Sequence, residues 1–433
     1  MNFVLTGCRV IDVENGCTVL PGRDIYVAGG RIEEVAPHGA VRPGYRRVGA
    51  EGLYALPGLI NLHVHLFGSG KPSKALGGGR AQERLLKFIR TRLGGFVLSK
   101  IVLKSARQQL LSGVTTIRAV GDLYGSDLAL KRRTAAGKGG AAGLRMLVSG
   151  MAITVPGGHG AGTFARTAET QEGLCRLVDE AVGSGADLVK ICVTGGVMDA
   201  GKRGEPGEVK MTLEQVRAVC DRAHALGKKV AAHVQSAEGV RIAALGGVDT
   251  VEHGAPFTEE ALAALRERGG ALVVTYSPAV PCARLPHGAT RLNETSSYNS
   301  EVVMRGMTEG ARQAAEAGVA VGLGTDASCP FCMQAGTWRE LVYFQKVLGV
   351  PAAEALRAAT IGNARILGLE RETGSVAAGK SADLLLVAAD PLEDLRALRA
   401  PRYVSAQGRL LRRPRPKRDT EIERLLDRLT EEL

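Results

Sequence analysis

Residues 58–70 read GLINLHVHLFGSG, an apolar run that ends in two histidines one residue apart. In a strand, side chains two positions apart share a face, so the imidazoles of His63 and His65 point the same way, separated by a rise of roughly 6–7 Å. That is a metal-chelating arrangement. It is also the arrangement of a hydrogen-bonded structural pair at a strand end, and the rest of the chain has to choose between them.

Seven further β-rich runs follow: VTTIRAV, LRMLVSG, ADLVKICV, KVAAHV, TVEHG, ALVVTYSP and AVGLGTDAS. Amphipathic helical patterns such as SDLALKRRTAAG, TLEQVRAVCDRAHALG and TWRELVYFQKVLG come after most of them, several starting at Ser, Thr or Asn and ending at Gly. Eight strand-then-helix units predict an α/β fold of the (β/α)8 TIM-barrel type, with its chemistry at the C-terminal ends of the strands. A doubly wound sheet would want a glycine fingerprint after its first strand, and none is present. Short alternating stretches in residues 1–57 return near the end in GSVAAGKSADLLLVAADP and RYVSAQGRLLRR. The expected organisation is a small discontinuous β-sandwich domain from 1–57 and 366–414, a barrel over 58–365, and a charged helix over 415–433. Long loops are expected at 66–100, 195–211 and 279–300.

On that frame the candidate ligands gather. His63 and His65 end the first strand, Lys190 lies in the fourth, His233 ends the fifth, His253 ends the sixth and Asp326 ends the eighth. All converge on one mouth of the barrel. Neutral imidazoles and carboxylates are ligands for Zn²⁺ and similar divalent ions, and two metals could share this set. The apolar neighbours of Lys190 imply burial, which is costly for an ammonium unless it is paired, neutralised or chemically changed. Reaction with CO₂ would make it an anionic carbamate able to bridge two metals, whereas a plain salt bridge inside the barrel would satisfy it equally.

Composition sets few limits. The 433 residues are long enough for a barrel with an accessory domain, and 45% hydrophobic with 23% charged is ordinary for a folded, globular chain. The net charge of +12 is dispersed apart from RLLRRPRPKR at 409–418, and no nucleic-acid module accompanies it. GSGKPS at 68–73 fails the phosphate-loop spacing. The opening MNFVLTGCRVIDVENG lacks the regions of a secretory signal, and no run approaches the ~18 apolar residues of a membrane span, so a cytoplasmic protein with no membrane partner is expected. Eight scattered cysteines suit a reducing compartment, and the C-x-x-C of Cys329 and Cys332 has no redox context.

The ordered set PGLINLHVH, GVTTIRAVGD, SGMAITVPGGHG, GADLVKICVTGGV, KKVAAHVQS, GVDTVEHG, VGLGTDAS and GSVAAGKSADLLLV resembles the metal-dependent amidohydrolases over about residues 2–412. The resemblance is to the imidazolonepropionase-related or prolidase-like branch, the Xaa-Pro and Xaa-Arg/Lys dipeptidases. It implies that His63, His65, a carboxylated Lys190 and Asp326 hold one metal, while His233 and His253 share the carbamate with a second. It further implies that His159, in GGHG, contacts the substrate carbonyl or the developing oxyanion. Relatives often read T-T-V-R-D-L-G after the second strand, and here Ala119 replaces that Asp, so no role is assigned to Arg118 or Asp122.

The implied chemistry is hydrolysis of an amide C–N bond of a dipeptide or N-acyl amino acid, through a metal-bridging hydroxide with Asp326 as general base and then acid. The substrate carboxylate would meet a cation among Lys202, Arg203, Lys210, Arg284, His287 and Arg291, with hydrogen bonds from Tyr276 or Tyr298. A one-metal deaminase or cyclic imidazolone or lactam hydrolase is the second reading. Such enzymes generally carry a Glu three residues after the fifth-strand histidine, where this chain has Ser236. A silent basic barrel binding anionic partners is the third. Zinc and a homo-oligomer are the expected metal and assembly.

Overall fold

The central strands Leu59–Val64, Val114–Ala119, Ala152–Thr154, Leu188–Cys192, Thr250–His253 and Ala271–Val274 are buried on both faces, which is why such strands read as apolar runs rather than alternating ones. The computed structural model describes residues 2–39, 42–72, 79–137 and 139–433. Five strands come first: β1 (Phe3–Asp12), β2 (Thr18–Ala28), β3 (Arg31–Pro37), β4 (Arg46–Gly49) and β5 (Tyr54–Pro57). The central region holds β6 (Leu59–Val64), β7 (Val114–Ala119), β8 (Arg145–Val148), β9 (Ala152–Thr154), β10 (Ala165–Thr167), β11 (Leu188–Cys192), β12 (Lys229–Val234), β13 (Thr250–His253), β14 (Ala271–Val274) and β15 (Ala320–Leu323). The chain then adds β16 (Leu384–Val387), β17 (Tyr403–Ala406) and β18 (Arg409–Arg412).

All eight anticipated strands are present, as β6, β7, β8, β11, β12, β13, β14 and β15. They are parallel, but the hydrogen bonding forms two sheets rather than the single expected ring: β6-β7-β8, and β10-β9-β11-β12-β13-β14-β15. The short β9 and β10 were not anticipated, because GMAIT and FARTA are too brief to show a period. Two buried asparagines stitch the first central strand to the last. Asn61 donates from Nδ2 to Thr325 Oγ1 (2.8 Å) and accepts from Thr325 N (3.1 Å). Asn363 donates to the carbonyls of Ile60 (2.8 Å) and Leu323 (2.9 Å) and accepts from Leu323 N (3.2 Å). Beyond β15, the N–H of Asp326 reaches His63 O at 2.8 Å and that of His65 reaches Ala327 O at 3.0 Å, so the two sheets meet where the ligands lie.

The helices following these strands have the starts the sequence promises. Side chains of Thr170, Thr212, Ser236, Thr258 and Asn293 accept from backbone N–H groups of the first turn, and Gly247 and Gly349 close helices in the left-handed conformation. Two expected loops are instead largely helical. Within 66–100, of which residues 73–78 lie outside the described residues, helices span Gly79–Ile89 and Arg92–Leu111. Gly94 permits the corner between them: a Cβ there would stand 2.0 Å from Phe88 O. Within 279–300, helices span Tyr276–Arg284, His287–Thr290 and Glu294 onward. Buried Glu340 accepts from the N–H groups of Tyr276 (2.7 Å) and Ser277 (2.6 Å), satisfying the start of the first of these. Residues 195–211 are irregular, as expected.

The two ends of the chain share one mixed sheet, ordered β18-β17-β16-β5-β1-β2-β3 with β4 on β1. Its join is antiparallel, with Leu385 opposite Leu56. The helix Thr420–Glu432 packs back on the body, where buried Arg339 meets Glu423 (3.2 Å) and Asp427 (2.7 Å). No helix among the described residues is long and apolar enough to cross a membrane.

Replacing Asn363 by Ala strands the backbone groups it bridges, so N363A is expected to lower stability by about 1–3 kcal/mol, read as a shift in the urea midpoint with an unchanged slope.

Candidate metal centre

Five histidine rings form a continuous arc at the C-terminal ends of the parallel strands. Ring centroids step from His65 to His63 (5.4 Å), to His253 (4.8 Å), to His233 (4.7 Å) and to His159 (4.2 Å). Asp326 closes the first end, with Oδ1 at 3.1 Å from His65 Nε2 and 3.5 Å from His63 Nε2. The structure thus brings together His63, His65, His233, His253, Asp326 and His159. Lys190 lies in β11, beside β12, with Ala231 as its register partner. Asp326 sits three residues beyond β15, not at its end, and both it and His253 have left-handed backbone (φ 50° and 65°). Non-glycine residues in that region carry strain, which collects at functional sites. Gly324 allows the approach of β15 to β6, because a Cβ there would stand 2.5 Å from His63 N.

Hydrogen bonds on the far side of each ring fix which nitrogen is free. His63 donates from Nδ1 to Glu252 Oε2 (2.7 Å), and His65 from Nδ1 to Gly121 O. His253 Nδ1 lies 2.7 Å from Thr275 Oγ1, and His233 Nε2 faces Gly195 O at 3.1 Å. With those partners as acceptors, lone pairs remain on Nε2 of His63, His65 and His253 and on Nδ1 of His233. Glu252 is itself held by Arg118 Nη2 (2.6 Å), and Arg118 also donates from Nε to Leu62 O (2.7 Å) and from Nη1 to Thr250 Oγ1 (3.0 Å). Arg118, left without a role on sequence grounds, is therefore the partner of the carboxylate that orients His63.

Burial sets the charge states. It pulls His63 down to about 4, with the Lys190 charge second, and pulls His233 and His253 well below the ordinary histidine value. These imidazoles are neutral, as ligands must be. Burial works to raise Asp326, but His63, His65 and His253 outweigh it and hold the carboxyl below its usual range. Glu252 is held low in the same way, Arg118 and His63 overcoming its burial. Lys190 is 2% exposed and makes no hydrogen bond or ion pair among the described residues. Its burial lowers the ammonium from its ordinary value and favours the nucleophilic amine.

Around this centre the wall is aromatic on one side. Phe67 and Phe164 stack at 6.2 Å, and each ring lies 5.5 Å from His65. On the other side, the loop after β11 is tied down by Asn299, which donates to Lys202 O (2.9 Å) and accepts from Gly204 N (2.7 Å). Arg203 lies over the Tyr298 ring at 4.2 Å, while Lys210 pairs with Glu208 at 2.8 Å. Arg284, His287 and Arg291 are exposed on the helical segments after β14. Tyr276 is wholly buried under that segment and cannot meet a substrate, which corrects its candidacy. Asp122 accepts from Leu66 N, and burial and the Asp127 charge push it up; it is not a ligand. Burial also raises the Cys329 and Cys332 thiols, and both are free, so neither is a poised thiolate.

The donor set fits divalent cations: neutral nitrogens oriented by outer hydrogen bonds, a carboxylate kept ionised, and His63, His65 and Asp326 with ligand atoms all within 4.8 Å of one another. Sequence reasoning missed Glu252, Thr275 and Asp199, the last of which pairs with His159 Nδ1. An acid inside the apolar run TVEHG was a signal for Glu252; the other two carry none.

The model of the amidohydrolase family matches residues 54–411. The chain is similar to a protein from Bifidobacterium longum provisionally named a prolidase, with 37% identity, a TM-score of 0.85, and coverage of 99% of this chain and 98% of that one. It is similar to a prolidase solved in complex with N-methylphosphonate-L-proline, with 27% identity, a TM-score of 0.79, and coverage of 95% and 100%. It is 27% identical to imidazolonepropionase of Symbiobacterium thermophilum over 399 residues, 85% of this chain and 84% of the relative.

Glu252→Gln, with folding checked by circular dichroism, is expected to weaken Zn²⁺ binding about 10–100-fold in competition with a chromophoric chelator. The stability of the metal-free protein should fall as pH drops from about 6.5, where an unfolded imidazole titrates, to about 4, where folded His63 does. In that window the unfolded state binds the extra proton, so stability is fully present only above about 6.5; denaturant midpoints across the pH range check this.

Proposed function

We propose, from the premise that the chain belongs to the amidohydrolase family and is a hydrolase acting on C–N bonds, that it is a prolidase-like enzyme cleaving the amide bond of a dipeptide or N-acyl amino acid. The observation that carries this reading is Lys190, a buried amine with no hydrogen bond or ion pair among the described residues, beside an arc of neutral imidazoles whose free nitrogens are preset. Attack of that amine on CO₂, with loss of one proton, gives a carbamate whose two oxygens could serve two ions. His63, His65, Asp326 and the carbamate would hold one Zn²⁺, and His233, His253 and the carbamate a second. When bound, such cations supply Lewis acidity to a carbonyl and make water acidic enough to attack it near neutral pH.

The chain's own residues supply the remainder. Asp326, ionised and closing the His65–His63 end of the arc, accepts the proton of the attacking water and returns it to the leaving nitrogen. His159, stacked parallel to His233 with 12° between the rings, donates to the oxygen that gains charge. The stacked Phe67 and Phe164 give an apolar wall for a substrate side chain, and Lys202 or Arg203 on the clasped loop after β11 reads the free carboxylate. The cyclic-amide or deaminase reading is disfavoured because Ser236 Oγ accepts from Gly239 N (3.3 Å) to start a helix, and is not a carboxylate able to protonate a leaving group.

The domain division belongs to this proposal: a (β/α)8-type region over 58–365, whose parallel strands bond as two sheets, a β-sandwich domain over 1–57 and 366–414, and the helix within 415–433, supported by the sheet that joins both ends. So does a cytoplasmic homo-oligomer. All eight cysteines are free thiols, and Leu93, Phe96 and Ile101 expose an apolar stripe on the helix Arg92–Leu111 that another subunit could cover.

With Zn²⁺ verified as bound, a library of L-Xaa-L-Xaa dipeptides and N-acyl amino acids should reveal turnover of a defined subset by released amine; silence across it would overturn the substrate reading. Lys190→Ala should lose activity and bound metal together, and a ¹³CO₂-derived carbamate resonance should be present in the wild type and absent from the variant.

A further inference from the structure

Asp199 lies in the irregular loop after β11 and touches none of the expected ligands, yet its carboxylate meets His159 Nδ1. The same oxygen accepts the N–H of Gly196 (3.2 Å), and Asp199 N donates back to Gly196 O (2.9 Å), so a tight turn holds the carboxylate. The turn is anchored beside the metal centre: Val197 N donates to Gln235 Oε1 (3.1 Å), two residues after His233, and Gly195 O faces His233 Nε2. Gly196 leaves room for the ring, because a Cβ there would stand 3.1 Å from the His159 ring and 3.4 Å from His233 Nε2 and would press on both. The His159 ring is confined by its stack on His233 and by the edge contact with Phe164 at 5.4 Å.

We propose that Asp199 is a positioning residue that fixes the doubly protonated ring of His159, by accepting the N–H of Nδ1, so that Nε2–H is the donor presented to the reacting carbonyl oxygen. The inference rests on the amide-hydrolase reading above for the consequence, and on geometry alone for the orientation. A ring free to flip or to change tautomer would present the wrong atom for part of the time, and misplacement of a donor costs rate without costing substrate affinity. A simple surface ion pair, by contrast, would contribute little on removal.

The experiment uses the full-length, zinc-loaded protein with its best substrate, and compares Asp199→Ala, Asp199→Asn, His159→Ala and the Asp199→Ala/His159→Ala pair, with metal content measured for each. Asp199→Ala should lower kcat about 10–100-fold with KM within about threefold and metal content unchanged. Asp199→Asn, whose carboxamide oxygen accepts the same proton, should recover most of that loss. In the His159→Ala background, removal of Asp199 should cost nothing further, since the two act as one unit. ¹⁵N spectra of histidine-labelled protein should show a protonated, hydrogen-bonded Nδ1 on His159 in the wild type and in Asp199→Asn, and lose that signature in Asp199→Ala. Additive losses in the double variant, or an Nδ1 signal of His159 indifferent to Asp199→Ala, would overturn the proposal. A wild type that binds zinc but turns over no amide would instead overturn the amide reading, and the spectra would still decide the role of Asp199.

Discussion

The buried contact between Glu252 and Arg118 is the constraint on which the rest of the centre depends. It crosses the interior between the two parallel sheets, since Arg118 belongs to β7 in one and Glu252 to β13 in the other. Charges out of water are costly unless every polar atom is matched. Here the carboxylate receives Arg118, Thr250 and His63, while the guanidinium also reaches Leu62 O on β6. Three strands are therefore held in one register by a single satisfied network. Its last member is a metal-type ligand, so the interaction that aligns the strands also decides which nitrogen of His63 is free.

Burial then does two things at once. It withdraws the imidazoles and Lys190 from water, which favours their neutral forms and so their capacity to bind a cation or to react with CO₂. It also leaves Asp326 as an anion only because the histidines around it compensate. The centre is thus stable as a set and unstable in parts. Removing one carboxylate leaves a buried cation or an unoriented ring, and removing the histidines would let the carboxyl take a proton.

Much of this was legible in advance. Each strand carrying a ligand is an apolar run long enough to be recognised, and H-x-H, ADLVKICV, AAHV, TVEHG and LGTDAS place polar groups where an interior has no use for them. The helices following β11, β12 and β13 announced themselves through capping residues and glycine stops. The helices at Arg92–Leu111 and Tyr276–Arg284 did not, because residues that usually break helices lie in them: Gly94 makes a close approach to Phe88, Pro278 sits in a first turn, and Pro281 lies inside its helix. The residues that orient the ligands were read less well: Glu252 only as a faint signal, Arg118 as a residue without a role, Thr275 and Asp199 not at all. Their partners are distant in sequence: 189 positions separate His63 from Glu252 and 134 separate Arg118 from it.

By itself the sequence determined the parallel α/β architecture, the pairing of the chain's two ends and the identity of the groups at the mouth, because these follow from hydrophobic period, turn residues and the chemistry of individual side chains. Only the tertiary structure decided that the strands bond as two sheets, that Tyr276 is beyond a substrate's reach, and which nitrogen of each imidazole is free. Those outcomes depend on contacts between residues far apart along the chain, and burial and hydrogen-bond partners exist only once the strands have closed around them.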